Sequence, residues 1–107
     1  MIARIWHGWT APGDADAYQR LLETEVLPGI AALGVPGFLG VDVLRRDDGD
    51  EIEFVTFMRF ESLDDIRRLA GEDAEKAYVP DAARALLSRF EDRTQHYEIC
   101  HRLGTPA

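Results

Sequence analysis

Cysteine is nearly missing from this sequence: Cys100 is the single one in 107 residues. An intrachain disulfide framework and a cysteine-built metal site are therefore excluded. Asparagine is absent altogether, and Lys76 is the only lysine. Positive charge is scarce, with Lys+Arg 12 against Asp+Glu 20 and a net charge of −8. A surface of that sign repels phosphate backbones and anionic lipid headgroups, so neither a nucleic-acid nor a membrane partner is expected. No apolar run approaches the roughly 18 residues of a membrane helix. Residues 1–7 carry no basic segment followed by an apolar stretch, so no signal peptide is expected and the cytoplasm is the expected compartment. A phosphate-cradling glycine loop and a dinucleotide fingerprint are also missing, and neither Ser62 nor Ser88 sits in a nucleophile elbow.

What is present describes an ordinary globular chain, 46% hydrophobic and 30% charged, long enough to bury roughly two-thirds of its unfolded surface. Residues 2–10, with Ile2, Ile5, Trp6 and Trp9, read as a strand. Pro12-Gly13 ends it, and Asp14 suits the N-cap of a helix. Tyr18, Leu21, Leu22, Val26, Ile30 and Leu33 recur at helical spacing, with a kink or break expected at Pro28-Gly29. Phe38–Arg46 and Ile52–Phe60 alternate as strands around Asp48-Gly49, a two-residue hairpin signal. That turn pairs positions summing to 97, so Arg46 faces Glu51, and it places Leu39, Val41 and Val43 beside Ile52, Phe54, Thr56 and Met58. Ser62-Leu63-Asp64-Asp65 resembles a capping box before a short helix stopped by Gly71. Asp81 can cap a last helix through Leu86, Leu87 and Phe90, and Thr94–Leu103 returns to strand. The order is βαββαβ, an α+β chain of ferredoxin-like type with a four-stranded antiparallel sheet. A single domain over residues 2–103 and a loose tail over 104–107 are expected.

Helices in this topology cover one sheet face. The other is expected to expose Trp6, Val55 and Phe57 among Arg4, Asp42, Glu53, Arg59 and Glu98, a surface too apolar to stay wet. A second copy packed sheet to sheet resolves this, so a homodimer is expected.

His96 and His101 lie five apart on one strand and point to opposite faces, so they cannot chelate one metal together. The acidic run Asp47–Glu53 has its glycine misplaced for a calcium loop and reads as a solvated turn. No metal site is expected. A cavity between helices and sheet is the remaining candidate, lined by His7, Trp9, Tyr18, Phe54, Met58, Tyr78 and Tyr97. Such an aromatic-rich space suits a flat hydrophobic ligand, although the same aromatics equally make a core.

Ile2-Ala3-Arg4-Ile5-Trp6-His7-Gly8 resembles the opening of small bacterial proteins of the antibiotic biosynthesis monooxygenase family. So do Gly37-Phe38-Leu39-Gly40, Leu44-Arg45-Arg46, Phe60-Glu61-Ser62-Leu63 and His96-Tyr97-Glu98, and the likeness spans about residues 2–100. It implies a dimeric α+β barrel. It also implies either cofactor-independent oxidation of anthrone-type polyketides by O₂ or haem degradation. The anthrone oxidisers use an Asn, a Trp and a Tyr, the haem degraders an Asn, a Trp and a His. With no Asn available, His7 stands at about the Asn position, Leu69 at the Trp position, and Tyr78 is the nearest polar candidate on the helical side. Haem cleavage is disfavoured. The resemblance therefore implies a cofactor-free oxygenase with His7 as base and Tyr78 or Arg59 orienting the substrate. A non-enzymatic small-molecule-binding dimer and an isomerase or lactone-forming enzyme on the same barrel remain the alternatives.

Overall fold

The structure, a computed structural model, describes residues 1–104. Apart from Gly104, the expected tail lies outside the described residues. Strand β1 (Ile2–Thr10) is followed by a 3₁₀ turn at Pro12–Asp14, helix α1 (Ala15–Leu21), a π-helical turn at Leu22–Val26 and helix α2 (Leu27–Ala32). Strands β2 (Phe38–Asp48) and β3 (Glu51–Phe60) form a hairpin, then come α3 (Leu63–Ala70), α4 (Asp81–Arg84), β4 (Leu87–Phe90) and β5 (Gln95–Glu98). Among the described residues, no helix is long and apolar enough to cross a membrane.

The sheet order is β2-β3-β1-β4, with β5 also paired to β1. Because β3 occupies one edge of β1 along its whole length, β4 and β5 must share the other. β4 covers Gly8–Thr10 and β5 covers Ile2–Ile5. Together they fill the fourth strand position of the expected α+β, ferredoxin-like sheet, broken at residues 91–94. At the break Glu91 supplies the missing ladder bonds. Its backbone N–H donates to His7 O at 3.0 Å, and its carboxylate Oε1 accepts the His7 backbone N–H at 2.9 Å.

Several sequence expectations are corrected. The helix expected through Leu86, Leu87 and Phe90 stops at Arg84; Leu86 lies in the turn that follows, and Leu87 and Phe90 enter β4. Their spacing serves a strand as well as a helix, and the open edge of β1 decides between the two. The last strand is shorter than Thr94–Leu103, spanning Gln95–Glu98. The hairpin loop is Gly49-Asp50, with Asp48 opposite Glu51, so paired positions sum to 99 and not 97. Arg46 consequently meets Glu53 at 2.6 Å in place of Glu51. A shift of two preserves which residues share a face, except that Leu39 bulges out between Phe38 and Gly40 and is exposed.

The first helical segment does not break at Pro28. The proline has no N–H to offer its preceding turn, and the chain accommodates it by widening to a π turn over Leu22–Val26 before α2 resumes. Asp14 makes no side-chain cap; a turn bond from its N–H to Ala11 O at 3.0 Å starts the helix instead. α3 is capped as expected: the Ser62 hydroxyl accepts from Asp65 N–H at 3.3 Å and donates to the Asp65 carboxylate at 2.8 Å.

The expectation for strand β1 had its faces reversed. Cross-strand partners in an antiparallel pair point the same way, and Trp6 lies opposite Thr56, Gly8 opposite Phe54 and Arg4 opposite Met58. Arg4 and Trp6 therefore face the helices, while Ile5, His7 and Trp9 lie on the open face with Val55 and Phe57. Glu98 pairs with Ile2 and also belongs to the helix side. Two buried clusters sit beneath the helices, one around Trp6, Tyr18, Leu22 and Phe54, the other around Met58, Phe60 and Ile66. Leu27 packs against both.

Candidate functional site

A cavity of about 580 Å³ lies between the sheet and the helical layer. Leu22, Val26 and Ile30 line it from the first helical segment and Leu69 from α3. Trp6 and Met58 supply the sheet wall, and the stretch Ala77–Pro80 with Ala83 closes the far side. The π turn contributes both Glu25 and Val26 to the lining, so the irregularity imposed by Pro28 shapes the wall of the cavity. Such local widenings of a helix often accompany binding sites.

The sheet wall depends on one glycine. The Trp6 ring lies over Gly8: a methyl group placed there would stand 2.5 Å from Trp6 Cη2. The ring is held by its indole N–H, which donates to Glu91 O at 2.8 Å. Tyr18 stands edge-on to Phe54, ring centres 4.9 Å apart. Burial pushes the Tyr18 hydroxyl well above the usual phenol range, so it is a neutral donor.

Three polar groups in this lining are distinctive. The Tyr18 hydroxyl and the Thr56 hydroxyl have no hydrogen-bond partner within the protein among the described residues, and yet neither is sealed. Thr10 Oγ1 is the one described side-chain N or O atom that is both shut off from solvent and unpartnered. Tyr18 and Thr56 therefore open onto the cavity that they line. The third group is Arg4, a residue only 6% exposed. Its Nη1 donates to Ala74 O and to His96 Nε2, the latter at 3.0 Å, and its Nη2 donates to Lys76 O at 3.0 Å. Burial lowers its pKa to about 10. Because arginine can only donate, His96 Nε2 must be the acceptor, and His96 is the neutral tautomer with its proton on Nδ1. Burial and then the Arg4 charge hold the His96 pKa below 6.5, against a smaller pull from Glu75.

The eight site residues expected from the sequence divide between the two sides of the sheet. Tyr18, Met58 and Tyr78 line the cavity, Tyr78 at 76% exposure on its rim, and Phe54 is wholly buried behind Tyr18. His7, Trp9, Arg59 and Tyr97 lie on the open face. There His7 Nδ1 meets Glu91 Oε1 at 2.6 Å, Trp9 stacks beside His7 at 6.2 Å, and the Arg89 guanidinium covers Trp9 at 3.8 Å. Arg59 pairs with Asp42 at 3.3 Å, and Tyr97 is half exposed. Sequence reasoning missed Arg4, Trp6 and Thr56 as lining residues, because the parity of β1 assigned the first two to the wrong face. The signal lay in Gly8, which alone on that strand leaves room for a neighbouring indole.

A smaller hollow of about 350 Å³ is lined by Asp73, Glu75, Arg93 and His96. Its arginine is already occupied, with Arg93 bound to both Asp73 oxygens at 3.0 and 2.7 Å. No group of three or more metal-binding side chains exists among the described residues.

The fold is shared with proteins of known structure. ActVA-Orf6 of Streptomyces coelicolor, a monooxygenase solved in complex with nanaomycin D, superposes with a TM-score of 0.64 at 20% identity, covering 99% of this chain and 92% of that one. The haem degrader MhuD of Mycobacterium tuberculosis, solved with two haems in its active site, gives 0.57 at 22% identity, covering 97% and 100%. A search of curated protein sequences returns no significant match. Residues 1–81 match the profile described as antibiotic biosynthesis monooxygenase, and the chain belongs to that family.

Proposed function

We propose that the protein is a cofactor-independent monooxygenase that takes a small, flat aromatic or polyketide-like substrate into this cavity and oxidises it with O₂. The observation that carries this reading is the cavity itself: about 580 Å³ of mostly apolar and aromatic wall, with the Tyr18 and Thr56 hydroxyls open to a ligand. That combination of volume, apolar lining and a few oriented polar groups is what a drug-sized planar molecule requires. Family membership and the nanaomycin-bound relative support the substrate class.

The reaction balances without an added reductant. An activated methylene, R₂CH₂, reacts with O₂ to give R₂C=O and water; the carbon loses four electrons, and both oxygen atoms are accounted for. The first step transfers a methylene proton to solvent water at the cavity mouth and leaves a carbanion delocalised as an enolate, which passes an electron to O₂; the proton is taken up again in the water that the reaction releases. His7, the base implied by the resemblance, lies across the sheet from this cavity, so it plays no part here within one protomer. Tyr78 on the rim and the Tyr18 hydroxyl are the groups placed to orient the substrate.

The same proposal includes a homodimer joined through the open sheet face. Ile5, Trp9, Val55, Phe57 and the half-exposed Leu44 form its apolar centre, a patch of the kind that monomers rarely leave wet. Light scattering at micromolar concentration should return twice 12.0 kDa; the monomer mass would remove this part.

Oxygen uptake with anthrone and naphthoquinol substrates tests the activity, with quinone formation followed by absorbance. Uptake coupled to quinone supports the reading. The absence of histidine from the cavity lining favours a second one, a binding protein without turnover. Binding of these compounds with no uptake would establish that second reading over the first.

A further inference from the structure

Arg4 has more hydrogen-bonding capacity than the protein uses. Of its five N–H donors, two on Nη1 go to Ala74 O and His96, and one on Nη2 goes to Lys76 O. The Nε–H and the second Nη2–H remain. Nε and Nη2 share one side of the guanidinium, the side whose fork matches a carboxylate, and the Nε–H on that side has no acceptor within the protein among the described residues. No carboxylate lies within 4.0 Å of Arg4 among the described residues, although ten such ion pairs occur elsewhere. Nor is Nε sealed, since among the described side-chain N and O atoms Thr10 Oγ1 alone combines full burial with no partner. The space that Arg4 lines is the 580 Å³ cavity.

A buried cation without a counter-charge is unfavourable, and proteins ordinarily pair it. Here the three bonds that are made go to neutral acceptors and fix the guanidinium against the 74–76 stretch, which leaves the charge uncompensated. We infer that the ligand of this cavity is an aromatic carboxylate whose carboxyl group completes the Arg4 fork. The inference rests on the proposed function for the location of the ligand, and extends it by naming the group that the substrate carries. Trp6 and Met58, flanking Arg4 on the sheet wall, would then lie along the aromatic body. The net charge of −8 works against any anion outside, so selectivity must come from this one residue.

The test compares 2-naphthoate with 2-naphthamide, a neutral molecule of the same shape, by isothermal titration against the whole protein. The wild type should bind the carboxylate at least about tenfold more tightly, the value of one charge-assisted hydrogen bond. Arg4→Met should bind both probes alike, and Arg4→Lys, which keeps charge without the fork, should fall between. If Arg4 merely holds the 74–76 stretch in place, the wild type will show no preference for the carboxylate; that result overturns the inference while leaving the cavity as a ligand site. Failure of both probes to bind the wild type at millimolar concentration would overturn the proposed ligand site itself. Because the decisive comparison uses the wild type, it stands even if Arg4→Met does not fold.

Discussion

Replacing Gly8 by alanine should destabilise the protein, against the general expectation for a glycine in a strand. Gly8 has ordinary strand dihedrals, and alanine there would normally add about 0.4–1 kcal/mol by restricting the unfolded chain. The structure reverses the sign. The new methyl carbon would stand 2.5 and 2.9 Å from two carbons of the Trp6 ring and 3.1 Å from Leu87 Cδ2. Trp6 cannot yield cheaply, because its indole N–H is held by Glu91 O at 2.8 Å and its ring packs in the buried cluster. Overpacking of this kind costs about 1–3 kcal/mol, and loss of the indole hydrogen bond adds about 1 kcal/mol. After the unfolded-state gain, Gly8→Ala should lose about 1–3 kcal/mol, read as a fall in melting temperature of roughly 5–15 °C. Urea denaturation gives the free energy directly, and the same samples should bind 2-naphthoate more weakly because Trp6 forms the cavity wall. Gly29→Ala is the control: in α2, with nothing within 4 Å of the added methyl, it should gain about 0.5–1 kcal/mol. In the double variant Gly8→Ala with Trp6→Leu, the clash is gone, and a coupling of about 1 kcal/mol or more should appear. Gly8→Ala at or above wild-type stability would refute the placement of Trp6 over Gly8, and with it the assignment of β1's faces.

Filling the cavity should separate binding from stability: Ala83→Leu, at a buried lining position, should abolish naphthoate binding and change stability by less than about 1.5 kcal/mol, and retained binding would argue against this cavity. Ser62→Ala removes the hydroxyl that caps α3 and satisfies Asp65, and should cost about 1 kcal/mol in urea denaturation. The folded protein holds the His96 pKa below 6.5, so the unfolded chain binds more protons below that pH. Stability should therefore fall as the pH drops from about 6.5, and be flat in this component above it. Unfolding curves between about pH 7.5 and pH 5.5 should show a slope in the wild type that is reduced in His96→Gln; an unchanged slope would assign the effect elsewhere.

Much of the architecture was written locally in the sequence. The Asp-Gly hairpin signal, the Ser62 cap and the Gly71 stop depend on the conformations of a few adjacent residues, and they placed β2, β3 and α3 closely. The α+β order followed from those elements, and so did the faces of the hairpin, since a register error of two leaves parity untouched. Tyr18 and Met58 were legible as cavity residues because they sit on elements whose inward face is unambiguous.

Tertiary structure decided what local pattern left balanced. Strand β1 carries large apolar groups on both parities, Ile2 and Trp6 on one and Ile5 and Trp9 on the other, so only pairing with β3 could tell which side met the helices. That pairing moved His7 away from the cavity and brought Arg4 into it. Leu86, Leu87 and Phe90 fit a helix or a strand, and the free edge of β1 drew the last two into the sheet because unpaired ladder groups are costly. The unmet donors of Arg4 are the extreme case: whether an arginine is paired depends on every carboxylate that the fold does or does not bring near it, and no spacing along the chain records that.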